Sequence, residues 1–165
     1  MYRVGVTGSR TWDDPAAIRE ALIVAQGERP AGEMLLMHGK CPPRSRPCRQ
    51  GEALGIVRWN QARMLLPATR LNLLGADWLA DVIARGLGWE VEQWPARWDL
   101  DTRRGGFIRD ADMVAAGADE WLAFVMRCTD VRCARRPAHG SHGAAGTFSM
   151  VEKAGTKRRM FKRGW

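Results

Sequence analysis

The stretch VGVTGSRTWDD, residues 4–14, decides how the rest of the chain is read. An apolar run ends in Gly8-Ser9-Arg10, and Asp13, Asp14 and Pro15 follow before a helical pattern begins. Asp14 suits a helix N-cap and Pro15 the first helical position. Ile18, Ala21, Leu22 and Ala25 then fall on one face of a helix over 14–26. A buried strand, a glycine-containing turn and an amphipathic helix make the opening half of a strand–helix–strand unit.

The same alternation continues. EMLLMHG (33–39) reads as a second strand and GADWLADVIARGLG (75–88) as a helix with Leu79, Val82 and Ile83 inward. WEVEQW (89–94) reads as a strand, GGFIRDADMVAAGAD (105–119) as a helix and EWLAFVM (120–126) as a strand. AGTFSMVEKAG (145–155) and KRRMFK (157–162) close the series as helix and strand. The expected fold is therefore α/β: one Rossmann-like domain over 1–165, with about five parallel strands and helices on both faces. Ligands of such sheets bind beyond the carboxyl ends of the strands, where strand order reverses. Gly8-Ser9-Arg10 belongs at that edge, where backbone N–H groups, a hydroxyl and a guanidinium suit an anion. A tight turn with a surface arginine explains the same residues, and both readings stay open.

Charge is unevenly distributed over the 165 residues. The net charge is +8, yet residues 40–73 hold Lys40, Arg44, Arg46, Arg49, Arg58, Arg63 and Arg70 against Glu52 alone. The tail 157–165 carries five further cations. The two segments together exceed the total, so the remaining body is net acidic. No apolar run reaches the 18 residues of a membrane span, and no signal-peptide pattern opens the chain. These features predict a soluble cytoplasmic protein with no membrane partner. Its four cysteines are then expected as thiols or metal ligands.

Taken in order, VTGSRTW, HGKC, GADWLAD, GFIRDADMVAAGAD and SHGAAGT resemble the YspA/YpsA-related branch of the SLOG superfamily. That resemblance covers most of 2–41 and 75–161. It implies a Rossmann-like fold, a nucleotide or nucleotide-derived ligand, frequent homo-oligomers and an origin in actinobacteria or their phages. It places ligand contacts at Gly8, Ser9 and Arg10; at His38 and Gly39; at Gly75, Ala76 and Asp77; at Arg109 and Asp110; and at Gly143, Gly146 and Thr147.

The chain departs from the family pattern twice. Its HG and GAD motifs are separated by a basic segment, about 42–73, that looks inserted and suits a lid, a dimer contact or a tolerated surface loop. VRWNQARMLL (57–66) within it reads as helical until Pro67. The PGGxGTxxE motif of the LOG phosphoribohydrolases is incomplete: His142 replaces proline, Ala144 replaces glycine, and Met150 stands where the glutamate belongs. Glu152 comes two residues late, a rotation of about 200° around a helix. The resemblance thus favours ligand binding over hydrolysis. N-glycosidic cleavage, with Asp77 or Glu152 as the carboxylate and Arg10 or Arg109 on phosphate, is the enzymatic alternative. A nucleic-acid-binding module built on the basic segments is a third reading.

Cys128, Cys133, His139 and His142 lie close in sequence and offer two thiolates and two imidazoles, a tetrahedral set for a structural zinc. Reduced cysteines and a ligand-facing His142 explain the same residues. Trp12 and Trp98 are candidates for stacking on a base, whereas Trp78, Trp89, Trp94 and Trp121 read as packing residues.

Overall fold

The structure is a computed structural model that describes residues 1–46, 52, 54–129, 131–134, 140, 151–152 and 155–165. Its strands are β1 (Tyr2–Gly8), β2 (Met34–His38), β3 (Arg44–Ser45), β4 (Gly55–Ile56), β5 (Glu90–Gln93), β6 (Glu120–Met126) and β7 (Lys157–Arg163). Its helices are α1 (Pro15–Gln26), α2 (Trp59–Arg63), α3 (Pro67–Arg70), α4 (Ala76–Gly86), α5 (Trp98–Asp101) and α6 (Gly105–Ala116). Five strands form one parallel sheet in the order β5-β2-β1-β6-β7. This is the expected α/β Rossmann-like architecture. The order reverses at β1, which has β2 on one side and β6 on the other.

Strand alternation sorts the core into two layers. Val4, Val6, Leu36, Leu122 and Phe124 point to the face covered by α1 and α4, where they join Ile18, Leu22, Leu79 and Ile83. Met37 and Trp121 point to the opposite face and pack with Met113 of α6. Gly5 belongs to this second face. A side chain there would run into the Trp121 ring, with Cδ2 only 2.6 Å from the added carbon.

Asp14 caps α1 by accepting a hydrogen bond from the Ala17 N–H at 3.0 Å, with Pro15 in the first turn, as the sequence predicts. The four residues expected to face inward are the four that α1 buries. Helix α6 ends three residues before the expected boundary, because Gly117 adopts φ 79° and stops it. The expected helix 145–155 lies largely outside the described residues.

The described residues of the basic insertion hold regular elements. β3 and β4 form a short antiparallel ladder, and Arg44 also bridges to Leu74. The expected helix to residue 66 is replaced by two short ones. Leu66 is forced into an extended conformation, ψ 145°, by the following Pro67, which then opens α3. Trp59 of α2 is buried, stacked on His38 at 5.6 Å and set edge-on to Trp78 at 5.0 Å. Arg70 holds the turn by donating to the Arg63 and Leu65 carbonyls at 2.7 and 2.8 Å. The Trp78 indole N–H in turn donates to the Arg70 carbonyl at 2.8 Å. The insertion is thus docked on α4 through aromatic packing.

Candidate functional site

The loop after β1 leaves the sheet where strand order reverses, and sequence dictates its path. A side chain at Gly8 would lie 2.5 Å from the Phe124 carbonyl and against Ala76, so only glycine lets β1, β6 and α4 approach this closely. Ser9 follows, fully buried. Its N–H donates to the Phe124 carbonyl at 2.8 Å, and its Oγ accepts from the Met126 N–H at 2.7 Å. The expected ligand hydroxyl therefore works as a staple between β1 and β6. The Ser9 carbonyl accepts from the Ala76 N–H at 3.1 Å, and the Trp12 carbonyl from the Gly75 N–H at 2.9 Å. Gly75 has φ 124°, a conformation that requires glycine. The start of α4 is thereby held against the β1 loop.

The loop after β2 joins the same cluster. The Lys40 N–H donates to His38 Nδ1 at 3.2 Å, and the Cys41 N–H to Asp77 Oδ2 at 3.0 Å. Between these two anchors Lys40 takes φ 52°, a left-handed conformation that is costly for a residue with a side chain. From α6, Arg109 reaches across the sheet edge. It donates to the Gly39 carbonyl, to the Trp94 carbonyl at 3.4 Å and to the Cys41 thiol at 3.8 Å, and it pairs with Asp110. Arg109 is chiefly a clamp between the ends of β2 and β5.

Electrostatics follow from this crowding. Burial pushes the Cys41 thiol up to about 11, helped by the Asp77 carboxylate and opposed by Arg109 and Arg10. Burial disfavours the Arg109 guanidinium, but Cys41, Asp110 and Asp77 outweigh it and hold the charge in place. Arg10 itself is exposed and makes no hydrogen bond or ion pair among the described residues.

His38 is buried on the α4 side of the sheet and faces away from this edge. It meets Asp81, a buried carboxylate that also receives Arg63, Arg85 at 2.9 Å and Gln93 at 2.9 Å. Burial alone would raise the Asp81 carboxyl. The hydrogen bonds from His38 and Arg85, the His38 interaction and Gln93 instead hold it far below the usual carboxylate range. The sequence reading overlooked Asp81, although it falls one helical turn after Asp77 and one before Arg85.

The structure therefore brings Gly8, Ser9, Arg10, Gly39, Gly75, Ala76, Asp77, Arg109 and Asp110 to one edge of the sheet and turns His38 inward. Gly143, Gly146 and Thr147 lie outside the described residues. So do His139 and His142 of the zinc set, while Cys128 is buried and Cys133 half-buried. Among the described residues no group of three His, Cys, Asp or Glu is arranged for a metal. Trp12 is corrected from base-stacking candidate to core residue: it is buried, tilted on Phe124 at 5.3 Å, and donates to the Asp14 carbonyl at 2.9 Å. Trp98 is half exposed and covers Gly105 and Gly106.

The Gene 61 protein of Mycobacterium phage D29 is 30% identical to this chain over 129 residues, which make up 75% of this chain and 77% of the phage protein. The chain belongs to the family of that phage protein. No family model and no solved structure matches it. Among the described residues, no helix is long and apolar enough to cross a membrane.

Proposed function

We propose that the chain binds a phosphate-bearing nucleotide or nucleotide-derived small molecule at the carboxyl edge of the sheet, in a sensing, sequestering or processing role. The observation that carries this is the strained Lys40 loop, pinned between His38 and Asp77 beside the point of strand-order reversal. Backbone strain held in place by its surroundings is typical of ligand-binding loops. The Cys41 N–H at the end of this loop donates to Asp77 at 3.0 Å, within one turn of Gly75, which packs on the Arg10 backbone. Cations at the end of β1 and beyond β2 suit a phosphate. The ordered motifs that resemble the YspA-related branch of the SLOG superfamily support the same ligand class, and the phage relative agrees with the phage origin that the resemblance implies.

Calorimetry with inorganic phosphate and a panel of mononucleotides tests the proposal. Arg10→Ala should weaken binding by about 1.5–3 kcal/mol, the range for a charge-assisted hydrogen bond. Absence of binding by the unaltered chain at millimolar concentrations would overturn it. Native mass spectrometry of the same preparation reads co-purified ligand, zinc and subunit number together.

The nucleic-acid reading loses support from the tail. Lys157 and Arg159 pair with Glu120, Arg158 with Glu152, and Arg163 with Asp13 and Asp14. Four of the five tail cations thus have carboxylate partners within the chain.

A further inference from the structure

Beyond the end of β5 lies a cleft of about 320 Å³ lined by Glu92, Gln93, Trp94, Pro95, Arg97, Asp101, Arg109 and Asp112. Its chemistry differs from that of the Arg10–Lys40 edge. Glu92 pairs with Arg3 at 3.1 Å, Asp101 with Arg97 at 3.3 Å, and Arg109 with Asp110. Asp112 is exposed and has no ion pair among the described residues. Once these pairs are formed, the cleft is left with a slight negative charge. It offers no unpaired cation to a phosphate, yet each paired carboxylate keeps lone pairs that accept from hydroxyls. Trp94 supplies an aromatic wall, and its Nε1 is a buried donor with no hydrogen-bond partner among the described residues.

We propose that this cleft takes the polyhydroxylated, sugar-like part of the same ligand, with Asp101 and Asp112 accepting its hydroxyls and Trp94 facing its C–H surface. This inference rests on the phosphate-binding reading above and extends it. Arg109 joins the two halves, because one guanidinium contacts both the Gly39 carbonyl of the phosphate side and the Trp94 carbonyl of the cleft. A ligand lying along the sheet edge would thus place its anionic end at Arg10 and its neutral hydroxylated end beside α6. The carboxylates would repel the reverse orientation.

The test is calorimetry with two probes, inorganic phosphate and ribose 5-phosphate, on the unaltered chain and on Arg10→Ala, Asp112→Ala and Asp101→Ala. The unaltered chain should bind ribose 5-phosphate about tenfold or more tightly than phosphate. Asp112→Ala and Asp101→Ala should each remove much of that advantage and leave inorganic phosphate binding unchanged, whereas Arg10→Ala should weaken both. Asp112 is exposed, so its variant should keep the parent melting temperature. If ribose 5-phosphate binds no better than phosphate, or if neither aspartate variant alters the ratio, the cleft assignment is overturned and the phosphate site stands. If neither probe binds at millimolar concentration, the underlying reading and this inference fall together.

Discussion

His38 Nε2 lies 3.0 Å from Asp81 Oδ2, and both side chains are fully buried. The Lys40 N–H occupies His38 Nδ1 as an acceptor, which assigns the ring proton to Nε2 and makes the imidazole the donor to Asp81. Asp81 is thus the common acceptor for β2, β5, α2 and its own helix, and it binds the insertion to the sheet through Arg63.

Replacing this acceptor should be expensive. Asp81→Asn leaves two guanidiniums facing an amide and should destabilise the fold by about 3 kcal/mol. The carboxyl is held below its ordinary value in the folded chain, so its contribution is complete above about pH 4 and is lost as pH falls further. Chemical denaturation at pH 7 and pH 3 checks both points. The Asn variant should show a smaller loss of stability between the two pH values than the parent chain.

The sequence makes the local elements legible and leaves distant partners hidden. β1 and β6 have the boundaries expected from their apolar runs, and the cap and inward face of α1 are as read. Those features depend on residues within one or two turns. Asp81 has one partner within reach of a helix reading, Arg85 at i+4, but its other partners and those of Glu120 are remote: Arg63 lies 18 positions from Asp81, and Arg159 lies 39 from Glu120. Ser9 illustrates the same limit. A hydroxyl after a strand suggests a ligand contact, and only the register of β6 reveals that Met126 occupies it.

The Cys41 thiol gives a second prediction. With its titration pushed up to about 11, it is protonated at neutral pH and should alkylate slowly. Asp77→Asn removes the carboxylate charge that helps raise it, while Arg109 and Arg10 remain. Iodoacetamide labelling at pH 8, followed by peptide mapping to separate Cys41 from the other cysteines, should show faster modification of Cys41 in the variant. An unchanged rate would mean that burial alone sets its reactivity. The raised thiol also means that the unfolded chain loses this proton first as pH rises above about 8.5, so stability should decline from there towards pH 11.

The docking of the insertion rests on Trp59. Its ring stacks on His38 and meets Trp78, and 9% of its surface is exposed. Trp59→Ala should cost about 3 kcal/mol or more, within the range for deleting a large buried aromatic. A lid that opened freely would give a much smaller loss. Thermal melting of the variant, with limited proteolysis to locate cleavage within 40–73, distinguishes a docked segment from a loose one.

The last prediction concerns the basic tail, whose role differs from that suggested by its charge. Residues 157–163 form an edge strand along the whole length of β6, and Phe161 stacks on Phe124 at 4.9 Å. Arg159 reaches the buried Glu120 carboxylate at 2.6 Å, and Lys157 reaches the same group at 3.2 Å. Removing the strand would expose β6 and leave Glu120 with Tyr2 as its remaining side-chain partner among the described residues. Deletion of 157–165 should therefore lower the melting temperature sharply. Loss of ligand binding through unfolding is the expected result of this truncation. Phe161→Ala is the gentler test. It should destabilise by about 2 kcal/mol, below the cost for a fully buried phenylalanine because this one is half-buried. The basic residues should contribute little to nucleic-acid affinity, since most are already paired. Titration with mixed-sequence oligonucleotides should give weak binding that falls steeply with salt. Submicromolar binding that persists near physiological salt, and that disappears in a folded variant with Lys162 and the exposed Arg58 replaced by alanine, would show instead that the unpaired cations form a nucleic-acid surface.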